Sequence, residues 1–392
     1  MAETVFYFHV HQPLRLRKYC ALTPDAPYDY FDSGMNKHYF RNAAEKCYLP
    51  ANALLKEMIE ENGFKCSFSI SGVFLEQCEA FGEDVLNSFQ ELVGTGGVSL
   101  VQETYYHSLS SLFVDLSEFE KQVEMHGRKI RELFGVKPKI FRNTELLYDN
   151  RVARKASEMG FKAMLAEGIE WVLNGRSPNY VFKARDCGMK VFLRNYRLSD
   201  DIGFRFSDKG WSEWPLTAGK FANWIKASKG HCVNLFMDYE TFGEHHWQES
   251  GIFGFMRDLC SNHALEFATL EELLKHPAIG EVNAPHSFSW ADMERDASAW
   301  LGNNIQNACF NELQKIGELA VENPVAADTW RKLQSSDHLM YLCTKGWHDG
   351  DVHKHFSPYK NNSPVDNYAN FMNTIIDFRQ GMENEKSIVP GN

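Results

Sequence analysis

Over about its first two thirds the chain alternates short apolar runs with amphipathic segments of helix length. The apolar runs are "VFYFHV", "FKCSFSISG", "GVSLV", "KIFRN", "FKAMLA", "MKVFLRN" and "CVNLFMD", with "LEFATLEELLKH" completing the series. Between them, "ANALLKEMIEEN" stops at Gly63, a residue type that ends helices in a left-handed turn. "FLEQCEAFGEDVLNSFQELVG", a stretch from about Asp149 to Met159, and "AGKFANWIKAS" are further helical segments. Ser117 and Glu120 have the spacing of a capping box for the helix that follows them. Strands joined through helices run parallel, with the helices outside the sheet. About seven or eight such units favour a closed or nearly closed α/β barrel over an open sheet. No G-x-G-x-x-G follows the first strand to mark a dinucleotide site.

Beyond about Pro277 helical segments dominate: "ASAWLGNNIQNACFNELQKIGELAVEN", "DTWRKLQSSDHLMYLCTK" and "NYANFMNTIIDFRQGMENE". The expected organisation is a catalytic barrel over residues 1–280 and a helical domain over 281–392 that contributes to the cleft. The turn-rich "HPAIGEVNAPHSFSW" is the expected junction.

A net charge of −11 argues against nucleic acid or an anionic membrane as partner. The nine cysteines are scattered with no C-x-x-C pair, which points to neither a disulfide framework nor a thiolate zinc site. "MAETVFYFHVHQP" has no basic segment and too short an apolar run for a signal peptide, and no window reaches transmembrane length. The expectation is a cytoplasmic protein.

In a parallel α/β barrel the chemistry gathers at the C-terminal ends of the strands. The first strand ends with His9 and His11 on one face, and Glu76 follows the second. "KIFRNTE" ends at Glu145, and "CVNLFMDYE" at Asp238 and Glu240. Taken singly, a strand-end acid is more often a helix cap, and a strand histidine more often a hydrogen-bonded core residue. Taken together, these groups put several ionisable side chains on one rim. Asp238 and Glu240 share a face if the strand continues, and the like charge of Glu240 then raises the Asp238 pKa.

The stretches "HVHQP", "SGVFLEQ", "FRNTELLYDN", "DYETFGEHHW" and "LQSSDHLMYL" resemble, in order, the five signature regions of glycoside hydrolase family 57. "YYHSL" and "ADMERDASAWLGN" are similar to its α-amylase-type branch. The resemblance implies a retaining α-glucan-active enzyme on an incomplete (β/α)7 barrel with a helical C-terminal domain. It implies Glu145 as nucleophile and Asp238 as general acid/base, with His11, Glu76 and Glu240 supporting the donor sugar and Asp337 and His338 reaching in from the helical domain. His9, Arg142, His245, Trp247 and Trp290 complete the expected substrate-binding set, with Arg142 and Asn143 beside the nucleophile and the two tryptophans as stacking surfaces. Tyr105 and Tyr106 are further stacking candidates, although any of these rings serves equally well in core packing. A retaining glycosidase needs one carboxylate ionised and one protonated, which suits the pair. The expected partner is an α-glucan oligosaccharide or polysaccharide, with no metal and no cofactor.

Two other classes are compatible with the residues. His9, His11 and Asp238 could form the metal site of a deacetylase or mannosidase-like hydrolase, although the first strand lacks the Asp such sites use. A non-catalytic glucan-binding protein would bind without turnover. Hydrolysis and 4-α-glucan transfer differ in acceptor-loop geometry, and oligomeric state has no signature. "HDGDVHKHFSPY" (348–359) is rich in His and Asp but has no zinc spacing, and is expected as a loop over the cleft.

Overall fold

The structure is a computed structural model that describes residues 2–20, 29–345 and 362–388. The 348–359 segment lies outside the described residues. Among the described residues nine strands form two sheets: β1 (Glu3–Val10), β2 (Cys66–Ile70), β3 (Val98–Leu100), β4 (Ile140–Phe141), β5 (Ala163–Glu167), β6 (Phe182–Ala184), β7 (Lys190–Arg194), β8 (Cys232–Asp238) and β9 (Glu281–Val282). Their order is β3-β2-β1-β8 in one sheet and β4-β5-β7-β6-β9 in the other. A parallel bridge from Gln102 to Phe141 joins β3 to β4. On the other side no ladder links β7 to β8. Instead the Asn195 N–H donates to the Asn234 carbonyl and the Asn234 amide to the Leu193 carbonyl, both at 2.9 Å. Seven parallel strands, β1 to β5 with β7 and β8, thus surround an incompletely closed barrel. The expected incomplete (β/α)7 architecture is found.

Alternation along each strand sorts its side chains between two cores. Phe6, Phe8 and Val10 of β1, with Val233, Leu235 and Met237 of β8, face the outer helices. Val5 and Tyr7 face inward and meet Val101, Ile140, Leu165, Phe192 and Phe236 in the barrel interior. This inward row, followed to the strand ends, arrives at the site.

Two helices replace the single long segment expected after β2: Gly72–Phe81 and Glu83–Gly94, broken at Gly82. A Cβ on Gly82 would lie 2.3 Å from the Phe40 ring, so the break lets that ring pack against the backbone. The capping box at Ser117 does not form. The N-cap of Ser117–Phe134 is Leu116, and the Ser117 hydroxyl donates to Asp115 instead, so the spacing was met one residue too late. "LEFATLEELLKH" contributes only a bridge between Thr4 and Phe267 and the 3₁₀ turn Glu272–Lys275.

Helices Ser298–Leu301, Asn304–Lys315, Pro324–Lys332, Ser336–Met340 and Pro364–Ile388 build the C-terminal part. Their core, around Trp300, Leu313, Trp330 and Phe378, also takes in Leu109, Phe113 and Leu147 from loops beyond β3 and β4. The helical part therefore sits on the rim where the strands end.

Candidate active site

His9 and Asp238 are register partners on β1 and β8, and both continue the inward-facing rows. Nδ1 of His9 lies 3.3 Å from Oδ1 of Asp238, whose side chain is 43% exposed. Burial raises the proton affinity of Asp238, but the hydrogen bond and charge of His9, with His245 beyond, outweigh it and hold the carboxyl below the usual range. The neighbouring charge of Glu145 acts in the opposite sense.

Glu145 follows β4 in the 3₁₀ turn Thr144–Leu146, at φ +56°, with Leu146 at φ +51°. Side chains in this left-handed region cost roughly 1–2 kcal/mol each, so the surroundings must impose the turn. Asn143 does so locally, its amide donating to the Leu147 carbonyl and the Ser111 hydroxyl at 2.9 Å each. The carboxylate is held on both oxygens. Oε1 accepts from Ser336 Oγ at 2.8 Å and faces His107 Nε2 at 3.2 Å, while Oε2 accepts from the Trp290 indole at 2.9 Å. Burial disfavours its charge, yet His107, the Arg142 guanidinium and the indole N–H together hold Glu145 far below the usual carboxylate range.

The expectation that Glu240 shares a face with Asp238 and raises its pKa is overturned. The strand ends at Asp238, and Tyr239–Thr241 is a 3₁₀ turn, so the two-residue alternation stops before Glu240. The Glu240 carboxyl turns instead to the Tyr48 hydroxyl, presented by the π-helical turn Ala44–Tyr48. Gly243, at φ +111°, lets this segment touch the backbone there: a Cβ would lie 1.9 Å from the Lys46 carbonyl. Burial and the charge of Asp238 push the Glu240 carboxyl up to about 8, although Tyr48 donates to it. In the free protein the proton of this pair therefore rests on Glu240.

The helical part contributes Ser336 and Asp337. Oδ2 of Asp337 lies 3.1 Å from Nε2 of His11, whose Nδ1 is 2.7 Å from the Ser71 hydroxyl. Burial and the nearby charge of His107 lower His11 to about 4, although Asp337 pulls it up. Trp290 lies under the cleft wall, its ring 5.2 Å from the Arg142 guanidinium and 5.8 Å from that of Arg194.

Other expected residues sit apart. Glu76 lies on helix Gly72–Phe81, accepts from Tyr105 at 2.9 Å and faces Lys332 at 3.8 Å, and it lines a separate 380 Å³ cleft with Asp328 and Thr329. His338 is buried between Phe31 and Phe371, where burial lowers it to about 4. The Tyr106 hydroxyl donates to Asp328 at 2.8 Å, so both buried tyrosines are tied through their hydroxyls to residues lining that cleft. Trp247 is 63% exposed beyond the Glu240 turn, and the His245 N–H donates to the Glu240 carbonyl at 2.9 Å.

Several residues that the sequence reading passed over complete the floor. Glu103, Glu167 and Arg194 extend the inward rows of β3, β5 and β7 past Val101, Leu165 and Phe192. Arg194 binds Glu167 at 3.0 Å and Asp200 at 2.5 Å. His107, at φ +50°, stacks on His9 and His11 with ring centroids 4.8 and 4.2 Å apart.

His9, His11 and Asp238 do not assemble as a metal set, because both ring nitrogens of His11 turn to Ser71 and Asp337. Among the described residues, His9, Glu103 and His107 form a cluster close enough to hold an ion. Arg142 Nη1 faces that same space, 3.3 Å from His9 Nε2, 3.4 Å from His107 Nδ1 and 3.6 Å from Glu103 Oε2. The guanidinium supplies the positive charge there, and a divalent cation beside it would meet direct repulsion. The cluster does not fit a metal.

Residues 5–285 match the family described as Glycosyl hydrolase family 57. A curated relative, "Putative alpha-amylase" of Methanocaldococcus jannaschii, is 46% identical over 95% of this chain and 83% of its own length. Among solved structures, the 4-alpha-glucanotransferase from Thermococcus litoralis aligns with all of this chain at TM-score 0.70 and 18% identity, and this chain spans 61% of its length. The GH57 branching enzyme from Thermococcus kodakaraensis aligns at TM-score 0.72 and 13% identity, covering 99% of this chain and 92% of that one. At such identities these structures show a shared fold.

Proposed function

Because the chain belongs to glycosyl hydrolase family 57 and is a glycoside hydrolase, we propose that it cleaves α-1,4-glucosidic bonds of maltodextrin, starch or glycogen with retention, in the manner of an α-amylase. The observation that carries this reading is the unlike pair of carboxylates on one rim. Glu145 is 17% exposed and held ionised by three donors, whereas Asp238 is 43% exposed beside an anionic neighbour.

In the first step the Glu145 carboxylate attacks the anomeric carbon while the Asp238 carboxyl gives its proton to the departing glycosidic oxygen. In the second, Asp238 takes a proton from water, which displaces Glu145 from the glycosyl-enzyme. The proton must reach Asp238 when the glucan binds. A sugar covering the exposed Asp238 strips water from it, and desolvation favours its neutral form. The proton held on Glu240 below about pH 8 keeps the pair stocked. His11, Asp337 and Trp290 line the donor side in this reading, and exposed Trp247 offers a stacking face farther out. In this reading the barrel of residues 1–280, continued by β9, is the catalytic part, and the helices from Ser298 onward close the cleft through Ser336 and Asp337.

No described helix is long and apolar enough to cross a membrane. The nine cysteines form no disulfide with one another, which supports a reducing, cytoplasmic setting. Incubation with maltoheptaose followed by product chromatography tests the activity. Shorter products alone indicate hydrolysis, longer ones indicate 4-α-glucan transfer, and unchanged substrate overturns the reading.

A further inference from the structure

One buried carboxylate oxygen lies between the two halves of the site. Oε2 of Glu103 is 3.4 Å from His9 Nε2 and 3.4 Å from His107 Nδ1, with Arg142 Nη1 at 3.6 Å. The far nitrogen of each ring reaches one of the two rim carboxylates: His9 Nδ1 to Asp238 at 3.3 Å and His107 Nε2 to Glu145 at 3.2 Å. The route Asp238–His9–Glu103–His107–Glu145 is therefore continuous, with its centre fully buried. The Glu103 backbone is fixed as well. Its N–H donates to His126 Nδ1, whose Nε2 lies 2.8 Å from the Ile70 carbonyl, so His126 is pinned as the neutral Nε2–H tautomer.

We propose that Glu103 is a positioning residue for both carboxylates, fixing the orientation of the His9 and His107 rings and through them coupling Asp238 to Glu145. The proposal rests on the reading that these two acids perform the chemistry. A structural anchor for Arg142 alone would need neither histidine at this oxygen. The groups facing the relay are Tyr7 and His9 from β1, His11 just beyond it, His126 from helix Ser117–Phe134, Arg142 and Glu145 after β4, Asp238 at the end of β8, and Asp337 from the helical part. Burial opposes a positive His107 most, and the Arg142 guanidinium opposes it as well. Glu103 and Glu145 outweigh them and raise His107 to about 9.

The test is Glu103→Gln, which keeps the shape and removes the charge. Imidazole NMR titration, with the His107 signal identified by its loss in His107→Gln, reads the link without any substrate. His107 should titrate near pH 9 in the wild type and roughly one unit or more lower in the variant. In parallel, kcat on maltoheptaose should fall roughly tenfold or more with KM little changed, and the alkaline limb of kcat/KM should move to lower pH. Glu103→Asp, which keeps the charge one methylene farther back, should restore part of both effects and serves the same test should the glutamine variant not fold. An unshifted His107 titration overturns the proposal, as does lost turnover with a wild-type pH profile, the mark of a merely structural residue. A wild type that leaves maltoheptaose intact would overturn the glucanase reading instead, while the NMR result would still decide whether Glu103 controls His107.

Discussion

Trp290 holds Glu145 at two points: its indole donates to Oε2 at 2.9 Å, and its backbone N–H to the Glu145 carbonyl at 3.4 Å. The same tryptophan is fixed from behind by Arg295, which donates to its carbonyl, and faces Arg142 across the ring. A residue from the junction beyond the barrel thus braces a left-handed turn that the barrel alone leaves strained. Trp290→Phe keeps the ring and removes the indole donor. Turnover should fall roughly tenfold as one charge-assisted hydrogen bond is lost, measured as kcat on maltoheptaose. Unchanged kcat would mean the backbone contact is enough.

Asp238→Asn should be severely impaired on maltodextrin yet partly rescued with a glycosyl donor whose leaving group needs no proton. Azide should then accelerate release of the trapped intermediate, because a small anion needs no general base. Loss of activity that neither change relieves would remove Asp238 from the acid/base role.

The pH profile follows from the pair Asp238 and Glu240. Below about pH 8 the two hold one proton between them, and above it they hold none. Activity should therefore fall as pH rises through about 8, where no proton remains for the leaving group. In Glu240→Gln the repulsion that keeps a proton near Asp238 is gone, so the alkaline limb of kcat/KM should move to lower pH. A limb that stays in place or moves up would contradict this.

Arg142 occupies the space among His9, Glu103 and His107, so catalysis should not need a metal there. Dialysis against EDTA should leave the rate within about twofold of the starting value. A loss restored by zinc would instead favour the metal-dependent hydrolase reading.

Much of this was legible in strand alternation, and the misses have a common cause. Tyr7 leads to His9, Ile140 to Arg142 and Phe236 to Asp238 along inward-facing rows. The same step from Val101, Leu165 and Phe192 leads to Glu103, Glu167 and Arg194: the first two lie just past the apolar runs "GVSLV" and "FKAMLA", and a single Arg at the end of "MKVFLRN" carries no signal of its own. Alternation also misleads when extended too far: the 3₁₀ turn after Asp238 sends Glu240 to Tyr48. Contacts such as Ser336 to Glu145 span 191 positions, and no local pattern encodes them.

The central claim is that Glu145 forms the covalent bond. Glu145→Gln should keep maltoheptaose binding by calorimetry while lowering kcat roughly a thousandfold or more. The most direct measurement uses wild-type protein and a fluorinated glycosyl fluoride, whose slow second step lets the glycosyl-enzyme accumulate. Peptide mass spectrometry should find one sugar on the peptide containing Glu145. A sugar on Asp238 or Glu240 instead, or no adduct alongside inverted product, would contradict the account.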